Sequence, residues 1–100
     1  MKILLALFMA LIASTVSADP FDKGDPGTGK TLLKPCTPCH ERQFGGDGSR
    51  VYTRTDRIVH NPEQLLSRIR VCNTNASAGW FPEEEMHVAA YLNLTYYHFK

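Results

Sequence analysis

Cys36-Thr37-Pro38-Cys39-His40 is the stretch on which the reading of this chain turns. Two thiols lie three positions apart, and an imidazole follows at once. At the start of a helix this spacing puts both sulfurs on one side, with the ring of the next residue close by. Several chemistries use such cysteine pairs. A thioredoxin-like redox pair needs the strand of a βαβ unit before it, and no strand pattern precedes Cys36. A zinc site needs a fourth ligand and usually a second close pair. A plain disulfide leaves His40 without a role. Covalent attachment of one c-type haem uses all three residues. Cys36 and Cys39 add across the vinyl groups, and His40 becomes the proximal iron ligand.

The surrounding composition fits that chemistry. The chain has 100 residues, of which 43% are hydrophobic, and many of those crowd into the first sixteen positions. Residues 1–18 read as a secretory signal. Lys2 is the short positive region, Ile3 to Ile12 is the apolar run, and Val16-Ser17-Ala18 supplies small residues for a cut before Asp19. The apolar run is short for a membrane span. Residues 19–100 are then one exported domain, periplasmic and without stable membrane insertion. A domain of that size commonly needs a disulfide, a metal or a cofactor at its centre. The full chain has a formal net charge of +1, which falls to zero when Lys2 leaves with the leader. The basic footprint of a nucleic-acid binder is missing. There is no internal repeat and no second C-x-x-C-H, so one haem is expected.

Local signals predict an all-α domain, with three to four helices around the haem. Asp19 to Gly29 is rich in Gly, Asp and Pro and reads as an irregular entry. Gly29 to Lys34 reads as a short helical turn leading into the motif. Asn61 can cap a helix over Pro62 to Asn73, with Leu65, Leu66, Ile69 and Cys72 on one face, Val71 away from it, and Arg68 and Arg70 toward solvent. Pro82, followed by Glu83, Glu84 and Glu85, starts a last helix. Its stripe at helical spacing is Val88, Tyr91, Leu92, Thr95 and Phe99. Between these helices, Phe44 to Gly48 is a Gly-rich loop. Beyond it Arg50, Arg54 and Arg57, together with Tyr52, offer partners for haem propionates or simply a solvated basic loop.

These residues resemble the class I cytochrome c family. The family carries a Gly and an apolar pair on a helix before C-x-x-C-H, matched here by Gly29, Leu32 and Leu33. It closes with an aromatic-Leu pair on the last helix, matched by Tyr91-Leu92. The resemblance implies a small cytochrome c-like fold in which Gly29 lets the two helices cross closely under Tyr91. Residues 57–92 also resemble a smaller branch, that of cytochrome c double-prime and the oxygen-binding sphaeroides haem protein. In that branch the residue before a Cys-Asn is the sixth iron ligand, and the Cys pairs with another eight positions on. Here those places hold Val71 and Trp80, so neither feature carries over.

The sixth ligand is therefore open. The usual loop Met is missing, and Met86, on the far side of the last helix from its stripe, should face water. His87 and His98 read as surface histidines. Cys72 is the distal candidate as a thiolate, with a buried inert thiol as the alternative, and His60 could swing in instead. The leading expectation is a non-enzymatic, monomeric carrier that passes single electrons between redox partner proteins. The alternative is a haem protein that binds oxygen, nitric oxide or an anion at an open distal site. A third reading uses the aromatics Tyr96 to Phe99 as an interface to a larger respiratory complex.

Overall fold

A computed structural model describes residues 19–54 and 58–100. The expected signal sequence and Arg57 lie outside the described residues. Five α-helices and two short irregular turns make up the described regular structure, with no β-strand among the described residues. They are α1 (Pro26–Leu33), α2 (Thr37–Phe44), α3 (Arg50–Thr53), α4 (Pro62–Asn75) and α5 (Pro82–Leu92). A 3-10 turn over Lys34–Cys36 joins α1 to α2, and a π turn over Asn93–Tyr97 extends α5. The all-α class expected from the sequence holds. The helix number is slightly higher because α3 is a single turn.

Each longer helix outside the cysteine motif starts on a local signal. Asp25 Oδ2 accepts from the Thr28 backbone N–H at 2.9 Å and from its hydroxyl at 2.6 Å, while Pro26 takes the first helical position. Helix α1 therefore begins three residues before Gly29, inside the segment expected to be irregular. The Asp25-Pro26 cap outweighs the glycine content there. Asn61 Oδ1 accepts from Gln64 N–H at 2.8 Å, which starts α4 as expected, but the helix runs on to Asn75. At α5, Glu84 reaches back to accept from Phe81 N–H at 2.9 Å.

The most extensive packing is between α1 and α5. Gly29 is buried there, and a Cβ on it would overlap the His87 carbonyl and lie 3.0 Å from Tyr91 Cβ. The close crossing under Tyr91 is thus present. Gly24 meets the same helix at the Met86 carbonyl and Ala90, a second close approach that the sequence reading did not single out. Ala89 and Ala90, both buried, keep the α5 side equally slim. His87 Nδ1 accepts from Asp25 N–H at 2.9 Å and ties the start of α1 to α5. Met86 is half-buried against the core instead of facing water, because α1 covers that side of α5.

The C-terminal stripe departs from the 3.6-residue expectation. Val88 and Leu92 are buried, but Thr95 is exposed, while Asn93 and Tyr97 are buried. The reason is the π turn, in which His98 N–H donates to Asn93 O at 2.8 Å across five residues. That wider turn advances the register and brings Tyr97 inward. Tyr96 and Phe99 are half-buried, so the tail is not the exposed aromatic patch of the third reading. Tyr97 stacks on Phe99 with centroids 5.4 Å apart.

Two asparagines close the chain by the same device. Asn93 accepts from Phe99 N–H at 2.7 Å and donates to Phe99 O at 3.1 Å. Asn73 accepts from Trp80 N–H at 3.0 Å and donates to Trp80 O at 2.9 Å and to Glu85 Oε2 at 2.9 Å. The second pairing joins the end of α4 to the segment before α5. Glu85 is buried and also meets Arg70 at 3.4 Å. Asn73→Ala strips partners from a buried carboxylate and a half-buried backbone, and should cost about 3 kcal/mol. The measurement is the urea midpoint of unfolding. Asn73→Asp should also lower it, since a second carboxylate then faces Glu85.

Candidate functional site

Helix α2 displays the cysteine motif on its first turn. Cys36 ends the 3-10 turn and stands at the N-cap position of α2, with Pro38 in the first turn. Cys36 is half-buried and Cys39 exposed, and both are free thiols, as is Cys72. Burial pushes the Cys36 thiol up, and the nearby Cys72 and Cys39 add to the effect. Arg42 Nη2 donates to Cys39 Sγ at 3.1 Å. His40 is half-buried, and burial lowers its pKa from the ordinary histidine value. Burial thus favours the neutral imidazole, which is the form that binds a metal.

Two structural features hold His40. From one side, Gly48 packs against it at φ +83°, and a Cβ on Gly48 would lie 2.7 Å from His40 Cβ. Only glycine meets both conditions, the positive φ and the close approach. From the other side, Tyr52 Oη lies 3.2 Å from His40 Nδ1. The Tyr52 ring meets the imidazole edge-on at 5.7 Å, and Phe44 does so at 6.5 Å. Sequence reasoning missed both features. In the sequence Gly48 is one glycine of a Gly-rich loop, and Tyr52 is either a propionate partner or part of a solvated basic loop.

His40 faces a cleft between α2 and α3 on one side and α4 and α5 on the other. The cleft has two adjoining hollows, of about 310 Å³ and about 670 Å³, that share Cys36, His40, Gln43, Cys72 and Trp80. Leu65 and Ile69, which the sequence grouped on one face of α4, line the smaller hollow beside His40. Leu92 does not line it. Val88 and Tyr97 do, because the π turn brings the Tyr97 ring into that wall. Cys39 borders the larger hollow.

The distal candidates separate clearly. Cys72 borders both hollows from α4, although it is exposed at the rim and not buried as an inert thiol. Val71 is exposed and lines neither hollow. His60 is also exposed and lines neither, and its backbone N–H donates to Gln64 Oε1 at 2.7 Å. His87 is engaged at the α1–α5 crossing, and His98 is exposed at φ +60°. Met86 lies outside the cleft. Among these candidates Cys72 alone borders the cleft that His40 faces.

The basic residues need a similar correction. Arg50 is exposed and lines neither hollow, whereas Arg54 lines the smaller one, with its guanidinium 5.1 Å from the Phe44 ring centroid. Arg68 lines it too, although the sequence placed it in solvent. Its spacing of four from Cys72 puts both on one helix face, and that signal could have found it. Trp80 lines both hollows, held there by Asn73.

The arrangement is a mainly apolar trough with thiols on one wall, a neutral imidazole aimed from the same helix, and two guanidinium groups at the edge. It suits a flat apolar body with an acidic margin. Among the described residues no three His, Cys, Asp or Glu side chains cluster to hold a bare metal ion. A macrocycle that brings its own nitrogen ligands does not need such a cluster. Among the described residues no helix is long and apolar enough to cross a membrane. Comparison with family models, with curated proteins and with solved structures finds no match to this chain.

Proposed function

We propose that this chain is an exported, periplasmic monohaem c-type cytochrome that carries single electrons between redox partner proteins and catalyses no reaction of its own. The observation that carries the reading is the placement of Cys36, Cys39 and His40 by one helix start on the wall of an apolar cleft. Bound haem supplies an iron that alternates between ferric and ferrous states. Cys36 and Cys39 tether it through thioether bonds, each thiol adding its S–H across a vinyl group. His40 provides Nε2 as proximal ligand. Leu65, Ile69 and Val88 exclude water from one part of the cleft, and Arg54 and Arg68 stand where propionates can pair with them. The close crossing of α1 and α5 through Gly29 supports a small cytochrome c-like fold for the domain.

Cys72 is the distal ligand in this reading. A positive iron centre lowers the pKa of a nearby thiol and favours the thiolate. Thiolate ligation stabilises ferric iron, so the reduction potential is low. The second reading, binding of oxygen, nitric oxide or an anion, draws on the larger hollow that opens between His40 and Cys72 beside Trp80. Absorbance separates the two. The purified exported protein should start at Asp19, retain one haem through acid-acetone extraction, and show a low-spin ferric spectrum. Carbon monoxide should leave the ferrous spectrum largely unchanged. Cys72→Ser should turn the ferric spectrum high-spin, with the fold intact because Cys72 is exposed. A wild-type protein already high-spin and shifted by carbon monoxide establishes ligand binding instead. A folded wild type without haem overturns both readings.

A further inference from the structure

We infer that Tyr52 is the positioning residue of His40, its phenolic oxygen accepting the imidazole Nδ1–H so that the Nε2 lone pair is fixed toward the haem iron. The inference rests on the haem reading above. The contact itself is in the structure, with Tyr52 Oη and His40 Nδ1 separated by 3.2 Å. Its direction follows from chemistry. A neutral imidazole carries one proton. If the tyrosine hydroxyl donated to Nδ1, that proton would sit on Nε2 and block coordination. Ligation by Nε2 therefore requires Nδ1–H to donate and Oη to accept.

Tyr52 is built to hold that place. Helix α3 is one turn long, and it starts where Tyr52 N–H donates to Ser49 O at 2.9 Å. The Tyr52 ring stacks on Tyr96 with centroids 4.9 Å apart and meets Tyr97 edge-on at 6.2 Å. Gly48, just before this turn, packs against the Cβ of His40. The loop between α2 and α3 thus meets His40 twice, Gly48 at its Cβ and backbone and Tyr52 at its imidazole. A ligating histidine whose second nitrogen is bonded is a stronger donor, which favours ferric iron.

Tyr52→Phe removes one oxygen and leaves the ring stack in place, so it tests the hydroxyl alone. In the wild-type low-spin ferrous form, which is diamagnetic, the His40 Nδ1 proton should show a nuclear Overhauser effect to the Tyr52 ring protons. In Tyr52→Phe that proton should exchange with water at least about tenfold faster, since a lost hydrogen bond of about 1.4 kcal/mol is a factor of ten. The reduction potential should rise, while haem remains covalently attached. An unchanged exchange rate and potential in Tyr52→Phe means that Tyr52 only fills space, and the inference fails while the haem reading stands. The wild-type Overhauser effect does not depend on how the variant folds, and its absence also overturns the inference. A wild type lacking thioether-bound haem overturns the haem reading and this inference together.

Discussion

Replacing Cys36 and Cys39 together by alanine is expected to give a chain that retains no haem through acid-acetone extraction and shows no cooperative unfolding transition. The magnitude follows from the cleft. Apolar cavities cost roughly 24 cal/mol per Å³ when they stay empty, so a hollow of about 310 Å³ corresponds to about 7 kcal/mol. Water entering the open side reduces that figure. A domain of this length has only about 4–12 kcal/mol of stability in total. In the proposed reading the thiols would tether the group that fills the cleft, so their loss would remove the centre around which α2, α4 and α5 pack. Far-ultraviolet circular dichroism during a thermal ramp reads the outcome. A double variant that unfolds cooperatively near the wild-type temperature would show that the helices hold each other without the cofactor. A variant that keeps its haem through extraction would remove the thioether assignment.

The second large effect is expected at the crossing of α1 and α5. Gly29→Ala places a methyl group against the His87 carbonyl, a backbone atom that moves only if the whole helix moves. Overpacking of this kind costs about 3 kcal/mol. For a domain of this size that lowers Tm by more than about 10 °C. Gly27 provides the internal control, because it is exposed and a Cβ there would have only Asp25 Oδ2 within reach, at 3.6 Å. Gly27→Ala should be neutral or stabilise by up to about 1 kcal/mol, since alanine is the better helix former. Equal effects at the two positions would mean that propensity, and not the close approach, governs glycine in α1. Calorimetry of the haem-loaded variants makes the comparison.

Much of this protein could be read directly from neighbouring residues. The Asn61-Pro62 and Pro82-Glu83 signals started α4 and α5 where expected, because caps are short-range hydrogen bonds and short-range electrostatics. The all-α class and the grouping of Leu65 with Ile69 followed from periodicity. The candidate chemistry of Cys36, Cys39 and His40 followed from their spacing alone. Asp25-Pro26 carried an equally local signal for α1, but the surrounding glycines masked it.

What only the tertiary structure decided involves partners distant in the chain. Gly24 reads as a flexible residue until α5 is laid against it. Tyr52 reads as a propionate partner until the single turn of α3 sets its hydroxyl beside His40. Cys72 sits on the apolar face of α4 by periodicity, yet it is exposed, because the cleft opens to water at that end of the helix. Tyr97, which the sequence left off the C-terminal stripe, joins the cleft wall once the π turn widens the last helix, while Leu92 does not. Periodicity specified nothing for Gly24 and Tyr52, and for Cys72 and Leu92 it specified only a helix face. Which neighbour covers that face depends on contacts between segments that no local pattern encodes.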